Sequence, residues 1–268
     1  MSLIDSHCHL DRLALDKLGT DLDGVLEQAL QNGVDQMLCV SINLENFPEV
    51  LRLSHCYENI FSSVGVHPSD DGEEPTLEQL VALADDPKII AIGETGLDYF
   101  YNEGDLEWQR ERFRIHIRAA RETGKPLIIH TRDAEADTLA IMREEGADQI
   151  GGVMHCFTGS LEMAQQCLEL GFYISFSGIV TFRNADVLRE VAKKVPQDRM
   201  LIETDAPYLT PVPKRGKPNH PALVRHVAEH IAEQRGVPFE QIAEATTANF
   251  QRLFGTPPVV KNTAHNFV

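Results

Sequence analysis

The chain predicts an α/β fold in one domain, a (β/α)8 TIM barrel with a metal site at the C-terminal mouth of its strands, and two features predict it. Short apolar runs of strand character alternate with helically periodic segments from end to end. Side chains that ligate divalent metals recur just after those runs, where barrel enzymes keep their reactive groups.

Eight runs read as strands: Leu3 to Asp5, Gln36 to Val40, Ile60 to Val64, Ile89 to Gly93, Leu127 to His130, Ile150 to His155, Tyr173 to Phe176 and Met200 to Thr204. The helical segments between them are Leu22 to Gly33, Phe47 to Tyr57, Thr76 to Ala84, Leu106 to Thr123, Ala134 to Glu145, Leu161 to Leu170 and Ala185 to Lys194. Two more, Pro221 to Gln234 and Phe239 to Leu253, follow the last run. Repeated strand-helix units need parallel pairing with crossover helices, and eight of them close most naturally into a barrel. A doubly wound open sheet is the alternative. Gly33, Gly124, Gly146, Gly171 and Gly236 each follow a helical stretch as a stop signal. No internal repeat or linker divides the chain. The barrel is therefore expected over residues 1–255, with residues 256–268 as a C-terminal tail lying over the surface or disordered.

Composition narrows the function. With 43% hydrophobic and 24% charged residues the chain has ample core. No apolar stretch approaches the about 20 residues of a membrane span, and no basic then apolar leader opens the chain. A cytoplasmic protein with no membrane association and no obligate protein partner is expected. The net charge of −17 argues against nucleic acid held on a broad basic surface. Any phosphate chemistry must be local and metal-centred. The cysteines, Cys8, Cys39, Cys56, Cys156 and Cys167, are odd in number and show no Cys-x-x-Cys spacing. They read as reduced thiols.

The metal reading starts at His7 and His9, one residue apart at the end of the first run. Side chains two apart on a strand share a face, and paired imidazoles suit a divalent transition metal. Glu94 follows the fourth run, His130 ends the fifth, His155 ends the sixth and Asp205 follows the eighth. Four imidazoles and two carboxylates exceed the needs of a single catalytic zinc, which keeps about three protein ligands. Two ions fit better, with Glu94 as the bridge. We assign His7, His9, Glu94 and Asp205 to one ion and Glu94, His130 and His155 to the other. Mixed ligands admit Zn or Mn, and Mg where carboxylates and phosphate complete the shell.

Six segments resemble the TatD-like metal-dependent hydrolases: Asp5-Ser6-His7-Cys8-His9-Leu10-Asp11, Gly65-Val66-His67-Pro68, Gly93-Glu94-Thr95-Gly96-Leu97-Asp98-Tyr99, His130-Thr131-Arg132, His155-Cys156-Phe157-Thr158-Gly159 and Glu203-Thr204-Asp205-Ala206-Pro207-Tyr208-Leu209. The likeness runs from residue 3 to about residue 254. It implies a metal-dependent barrel and, most often, DNase activity. Some relatives in the wider family lack the first His-x-His pair, and this chain has it. Glu94 stands where related amidohydrolases use a carboxylated lysine, which points toward the TatD-like enzymes. The expected activity is a 3'-5' exonuclease on single-stranded DNA, with RNA admitted, the polarity coming from the resemblance alone.

In that mechanism two ions about 3.5 to 4 Å apart share a water and hold a phosphate oxygen. Asp205 orients the water, takes its proton and passes it to the departing sugar oxygen. His67 donates to a phosphate oxygen, Glu203 supports a ligand histidine, and Arg132 reaches a phosphate or pairs with Asp133. Lys214, Arg215 and Lys217 form a compact basic cluster that is a candidate phosphate tether. His226 and His230 have helical spacing without the glutamate of a zinc-protease motif. They, His55, His116 and His265 need no chemical role, and His220 is undecided. The alternatives are an ester, amide or lactone hydrolase, such as a D-aminoacyl-tRNA deacylase, and a non-enzymatic metal-stabilised scaffold.

Overall fold

Consecutive strands pair in parallel in strict chain order, β1 (Leu3–Cys8), β2 (Val34–Cys39), β3 (Ile60–Val64), β4 (Ile89–Asp98), β5 (Leu127–Arg132), β6 (Gly152–Met154), β7 (Tyr173–Phe176) and β8 (Met200–Ile202). This computed structural model describes residues 2–101 and 104–257. The strand order rules out the doubly wound alternative, whose order reverses midway. At the seam His7 O accepts from Asp205 N at 2.9 Å and His9 N donates to Ala206 O at 2.8 Å. Side chains complete the seam: Ser6 Oγ donates to Ile202 O, and Asp5 accepts from Thr204 N at 2.8 Å. The nearly closed barrel so formed sets the first and last strand ends side by side.

Each strand is followed by a helix: α1 (Leu22–Gln31), α2 (Phe47–Cys56), α3 (Leu77–Leu83), α4 (Glu107–Thr123), α5 (Glu135–Glu144), α6 (Leu161–Glu169), α7 (Asp186–Lys194) and α8 (Val224–Arg235), with α9 (Phe239–Phe254) added at the end. Their boundaries follow local chemistry. Thr76 and Gln79 form a reciprocal capping box at the start of α3. Gly124 and Gly236 end α4 and α8 at φ 68° and 65°, a left-handed conformation that glycine adopts without a steric penalty.

The strand runs read from sequence coincide with β3 and β7, whereas β4 continues past Gly93 to Asp98. Apolar patterning stops at Glu94, yet Thr95 to Asp98 still pair with Ile129 to Arg132 of β5. Gly93 and Gly96 make this approach feasible, since an added Cβ would lie 2.6 Å from Ile128 O at Gly93 and nearer still to His130 O at Gly96. Conversely β6 and β8 stop short of His155 and Thr204. There the backbone leaves the ladder to present the site.

Two layers of core result. Outward strand residues such as Leu3, Met37 and Ile129 pack under the helices, while Ile4, Leu38, Ala91, Ile128, Val153 and Leu201 fill the barrel interior. Phe250 and Phe254 of α9 join that interior. Thr247 donates to Ser2 O, and Asn249 to Gln197 O and Met200 O. These carbonyls lie at the starts of β1 and β8, so α9 closes the N-terminal end and leaves the opposite end for chemistry. Thr256 and Pro257, the first residues of the expected tail, lie against the barrel, with Pro257 O accepting from Gln36. Residues 258–268, including His265, lie outside the described residues. Among the described residues no helix is long and apolar enough to cross a membrane.

Candidate metal centre

The barrel brings His7, His9, Glu94, His130, His155 and Asp205 to one point. His7 Nε2 and His9 Nε2 stand 3.3 Å apart. His7 Nε2 is 3.3 Å from Glu94 Oε2, and His9 Nε2 is 3.4 Å from Asp205 Oδ1. The other oxygen of Glu94, Oε1, lies 2.9 Å from His155 Nε2 and 3.3 Å from His130 Nδ1. The two oxygens of one carboxylate therefore face two separate sets of imidazoles. The Glu94 backbone is held by its N–H to Ser41 O at 3.0 Å.

Three of the four imidazoles are oriented by what their other nitrogen meets. His9 Nδ1 donates to Val40 O, His155 Nδ1 to Glu203 Oε1 and His130 Nε2 to Asp98 Oδ2, each at 3.0 Å. That leaves the inward nitrogen of each ring as the one that would offer its lone pair to an ion, the arrangement ligating histidines use. Glu203 also accepts from Cys156 N and Ser175 Oγ, so both of its oxygens are engaged.

The electrostatics call for a cation. Glu94 and Glu203 are buried beside each other's imidazole partners, with Asp98 and Asp205 close by. Burial works against the Glu94 charge, but His155 and the bond from His130 hold its carboxyl well below the usual range. Burial likewise opposes a charge on His155, and Glu94 and Glu203 overcome it, raising its pKa well above the ordinary value. Protons on imidazoles thus stand in for positive charge. Converging nitrogen lone pairs and buried carboxylates are the donor chemistry of a divalent ion, and three overlapping groups can supply it: His7, His9 and Glu94; His7, His155 and Glu203; His67, Glu94 and His130.

His67 differs from the other site histidines. Its Nδ1 accepts from Ser69 N at 3.0 Å, so its proton sits on Nε2, 3.5 Å from Glu94 Oε1. Burial depresses its pKa to about 4, leaving a neutral imidazole that presents an N–H to the site. Three buried side chains on one face of α4 secure this loop. Arg112 donates to His67 O at 2.6 Å and Asp70 O at 2.8 Å and pairs with Glu74; Gln109 donates to Pro68 O at 3.0 Å; His116 Nε2 accepts from Val66 N at 3.0 Å. Sequence reading assigned His116 no chemical role and passed over Arg112 and Gln109. Their spacing of three and four residues, on the face that carries Phe113 and Ile117, is the signal that marks them as buried.

A cavity of about 610 Å³ opens over these groups, and Arg12, His67, Tyr101, Arg132 and Tyr208 line it with Glu94 and Asp205. His67 and Arg132 thus stand where the sequence placed them. Lys214, Arg215 and Lys217 do not line the cavity: Arg215 stacks on Phe182 at 4.0 Å and donates to Thr210 O. Arg12 was not singled out from sequence, because its position depends on a short helical turn after β1. Cys8 Sγ faces Leu38 O, while Cys156 lines the cavity with its Sγ 3.2 Å from Ser177 Oγ. Burial raises both thiols well above their ordinary range. His226 pairs with Glu229 and His55 with Asp86, away from the centre.

A family model described as "TatD related DNase" matches residues 4–255. The chain is 51% identical over 254 residues to "Uncharacterized metal-dependent hydrolase YcfH" of Escherichia coli, covering 95% of this chain and 96% of the relative. It is 40% identical to "3'-5' ssDNA/RNA exonuclease TatD" of Citrobacter rodentium, covering 88% and 92%. Among solved structures, the TatD homologue YJJV of Escherichia coli superposes with a TM-score of 0.86 at 31% identity, covering 95% of this chain and 98% of that one. The organophosphorus hydrolase of Deinococcus radiodurans, at 18% identity and a TM-score of 0.63, covering 94% and 92%, shares the fold.

Proposed function

The chain belongs to the TatD-related DNase family and is a metal-dependent hydrolase, and from that premise we propose that it is a 3'-5' exonuclease on single-stranded DNA, and on RNA by the same chemistry. The observation that carries this reading is the company Glu94 and Asp205 keep. In a protein of net charge −17, two guanidinium groups, Arg12 and Arg132, and the N–H of His67 line their cavity. That is a set for a phosphate, and the relative from Citrobacter rodentium is named for cleavage of phosphodiesters.

Two divalent ions, Zn, Mn or Mg, would be held by His7, His9, Glu94 and Asp205 and by Glu94, His130 and His155. When bound they supply positive charge for phosphate oxygens and acidify water. Asp205 orients the attacking water and accepts its proton as the new P–O bond forms. It then delivers that proton to the sugar oxygen as the old P–O bond breaks. His67 Nε2–H donates to a non-bridging oxygen, where charge builds in the transition state. Glu203 and Asp98 keep His155 and His130 in the required tautomers. A lactone or simple ester presents no phosphate to Arg12 and Arg132, so these two favour a nucleic-acid substrate. The free cysteines suit a reducing compartment and support a cytoplasmic location.

The test is hydrolysis of 5'-labelled single-stranded DNA by metal-stripped protein to which Mg, Mn or Zn is restored. A descending ladder that needs metal, and that falls about a thousand-fold in Glu94→Ala, is expected, equivalent to roughly 4 kcal/mol of lost charge stabilisation. Cleavage of a D-aminoacyl ester or lactone with no cleavage of DNA would overturn the substrate assignment and leave the metal centre standing.

A further inference from the structure

We propose that the cavity mouth carries a stacking subsite for the terminal nucleobase, formed by Tyr101 and Tyr208, with Arg132 held beside it by Phe100 to meet the adjoining phosphate. The proposal rests on the nuclease reading and adds what recognises the base.

Apolar side chains exposed singly are ordinary, whereas aromatics gathered at the mouth of a cavity mark a binding surface. Among the described residues the exposed aromatics are Phe100, Tyr101, Trp108 and Tyr208; Tyr101 and Tyr208 line this mouth, and Phe100 packs against Tyr101 with ring centroids 4.9 Å apart. Tyr101 is 67% exposed and Tyr208 50%, and both line the cavity that holds Glu94 and Asp205.

The rings are tied to the reacting centre through the backbone. Asp98 Oδ1 accepts from Phe100 N and Tyr101 N, both at 3.0 Å, while its Oδ2 holds His130. On the other side Tyr208 N donates to Asp205 O at 2.9 Å, and Asn219 donates to Tyr208 O and Thr204 O. The Tyr208 ring stands edge-on to His9 with centroids 6.1 Å apart. Each tyrosine is thus indexed to a side chain of the metal centre.

Arg132 supplies the link between base and phosphate. Its guanidinium carbon lies 3.7 Å from the Phe100 centroid and 4.7 Å from that of Tyr101. Stacking occupies the flat faces of a guanidinium and leaves its N–H edge for an anion. Phe100 is accounted for by that contact, which also covers one face of Tyr101. Among the described residues no cation lies over Tyr208, and its half-exposed ring is available to a planar group. Aromatic stacking accepts every base and is insensitive to sequence, so the expected ligand is a nucleobase as a class at a strand end. It also suits an acidic protein, because stacking needs no basic surface.

Two readouts test this, one on the metal-loaded and one on the metal-stripped protein. The first compares kcat/KM for a single-stranded oligonucleotide with that for the same strand made abasic at its 3' terminus. We expect the intact strand to be favoured, and the preference to shrink about tenfold in Tyr208→Leu and in Tyr101→Leu while surviving in Tyr208→Phe. The second places 2-aminopurine at the 3' terminus and follows its fluorescence on metal-stripped protein, where quenching reports stacking; it should be lost in the same leucine variants. Circular dichroism and metal content confirm that the variants are folded and loaded. An unchanged preference in both leucine variants overturns the subsite while the nuclease reading stands. Wild-type protein that neither binds nor cuts any strand overturns both.

Discussion

Val66 donates its N–H to His116 Nε2 at 3.0 Å while His116 Nδ1 donates to Arg112 O at 2.8 Å, so the ring must be neutral to make both bonds. Burial depresses its pKa from 6.5 to about 4. Between those values the unfolded chain takes up a proton that the native state refuses. The contribution is therefore complete above pH 6.5 and is lost as the pH falls toward 4, on the order of 3 kcal/mol in all. Urea unfolding should show the wild type losing about that much more stability than His116→Gln between pH 7 and pH 4; parallel pH curves for the two proteins would contradict the assignment. At this scale the sequence was most legible where ligand types fall at strand ends. His7, His9, Glu94, His130, His155 and Asp205 were all named from that pattern, and the structure gathers them. Arg12, Arg112, Gln109 and His116 were not, because a polar residue on a helix reads as a solvated one until the packing partner is known. Lys214, Arg215 and Lys217 show the converse: a basic cluster is visible in sequence, but its direction is set by the long loop after β8.

The helix α4 carries that lesson at the level of an element. Its buried face joins Phe113, Ile117 and Ala120 to Gln109, Arg112 and His116. The apolar members anchor the helix on the barrel, and the polar ones reach past it to the loop that bears His67. Arg112 is 2% exposed and holds two carbonyls and Glu74. Arg112→Met fills similar volume without the donors. His67 O keeps the bond from Asp70 N, but Asp70 O loses its Arg112 donor and Glu74 its partner, which should cost about 1–3 kcal/mol, and loosening His67 should lower kcat about 10- to 100-fold, as loss of an outer partner commonly does. Faster amide exchange confined to residues 67–74 would accompany it, whereas unchanged exchange there would show that Arg112 does not hold the loop. Most element boundaries were readable from periodicity and glycine stops. The extension of β4 through Asp98 was not, because pairing there is carried by backbone groups around two glycines and leaves no apolar signature.

Across the whole molecule, α9 fills the barrel from one end with Phe250 and Phe254, and the opposite end collects the carboxylates and imidazoles. Sequence periodicity predicted the strand-helix alternation. It also predicted closure into a barrel but not how the seam is made, since the seam rests on loop backbone at Asp205 and Ala206 and on Asp5 and Ser6 side chains. Closure matters because it brings Asp205 to His9, the two ends of a chain-long circuit. Ions bound there would tie β1, β4, β5, β6 and β8 together. By mass action a ligand at a hundred times its Kd adds about 2.7 kcal/mol to native stability.

On the proposed two-ion reading, Glu94 would be a ligand shared by both ions. Calorimetric titration of metal-stripped protein with Zn or Mn tests it most directly, with Glu94→Gln in parallel. Two ions per wild-type chain are expected and, in the variant, weakened binding at both steps, since one side chain would serve both. A single ion per wild-type chain, or a variant that still takes two with unchanged affinity, would contradict it.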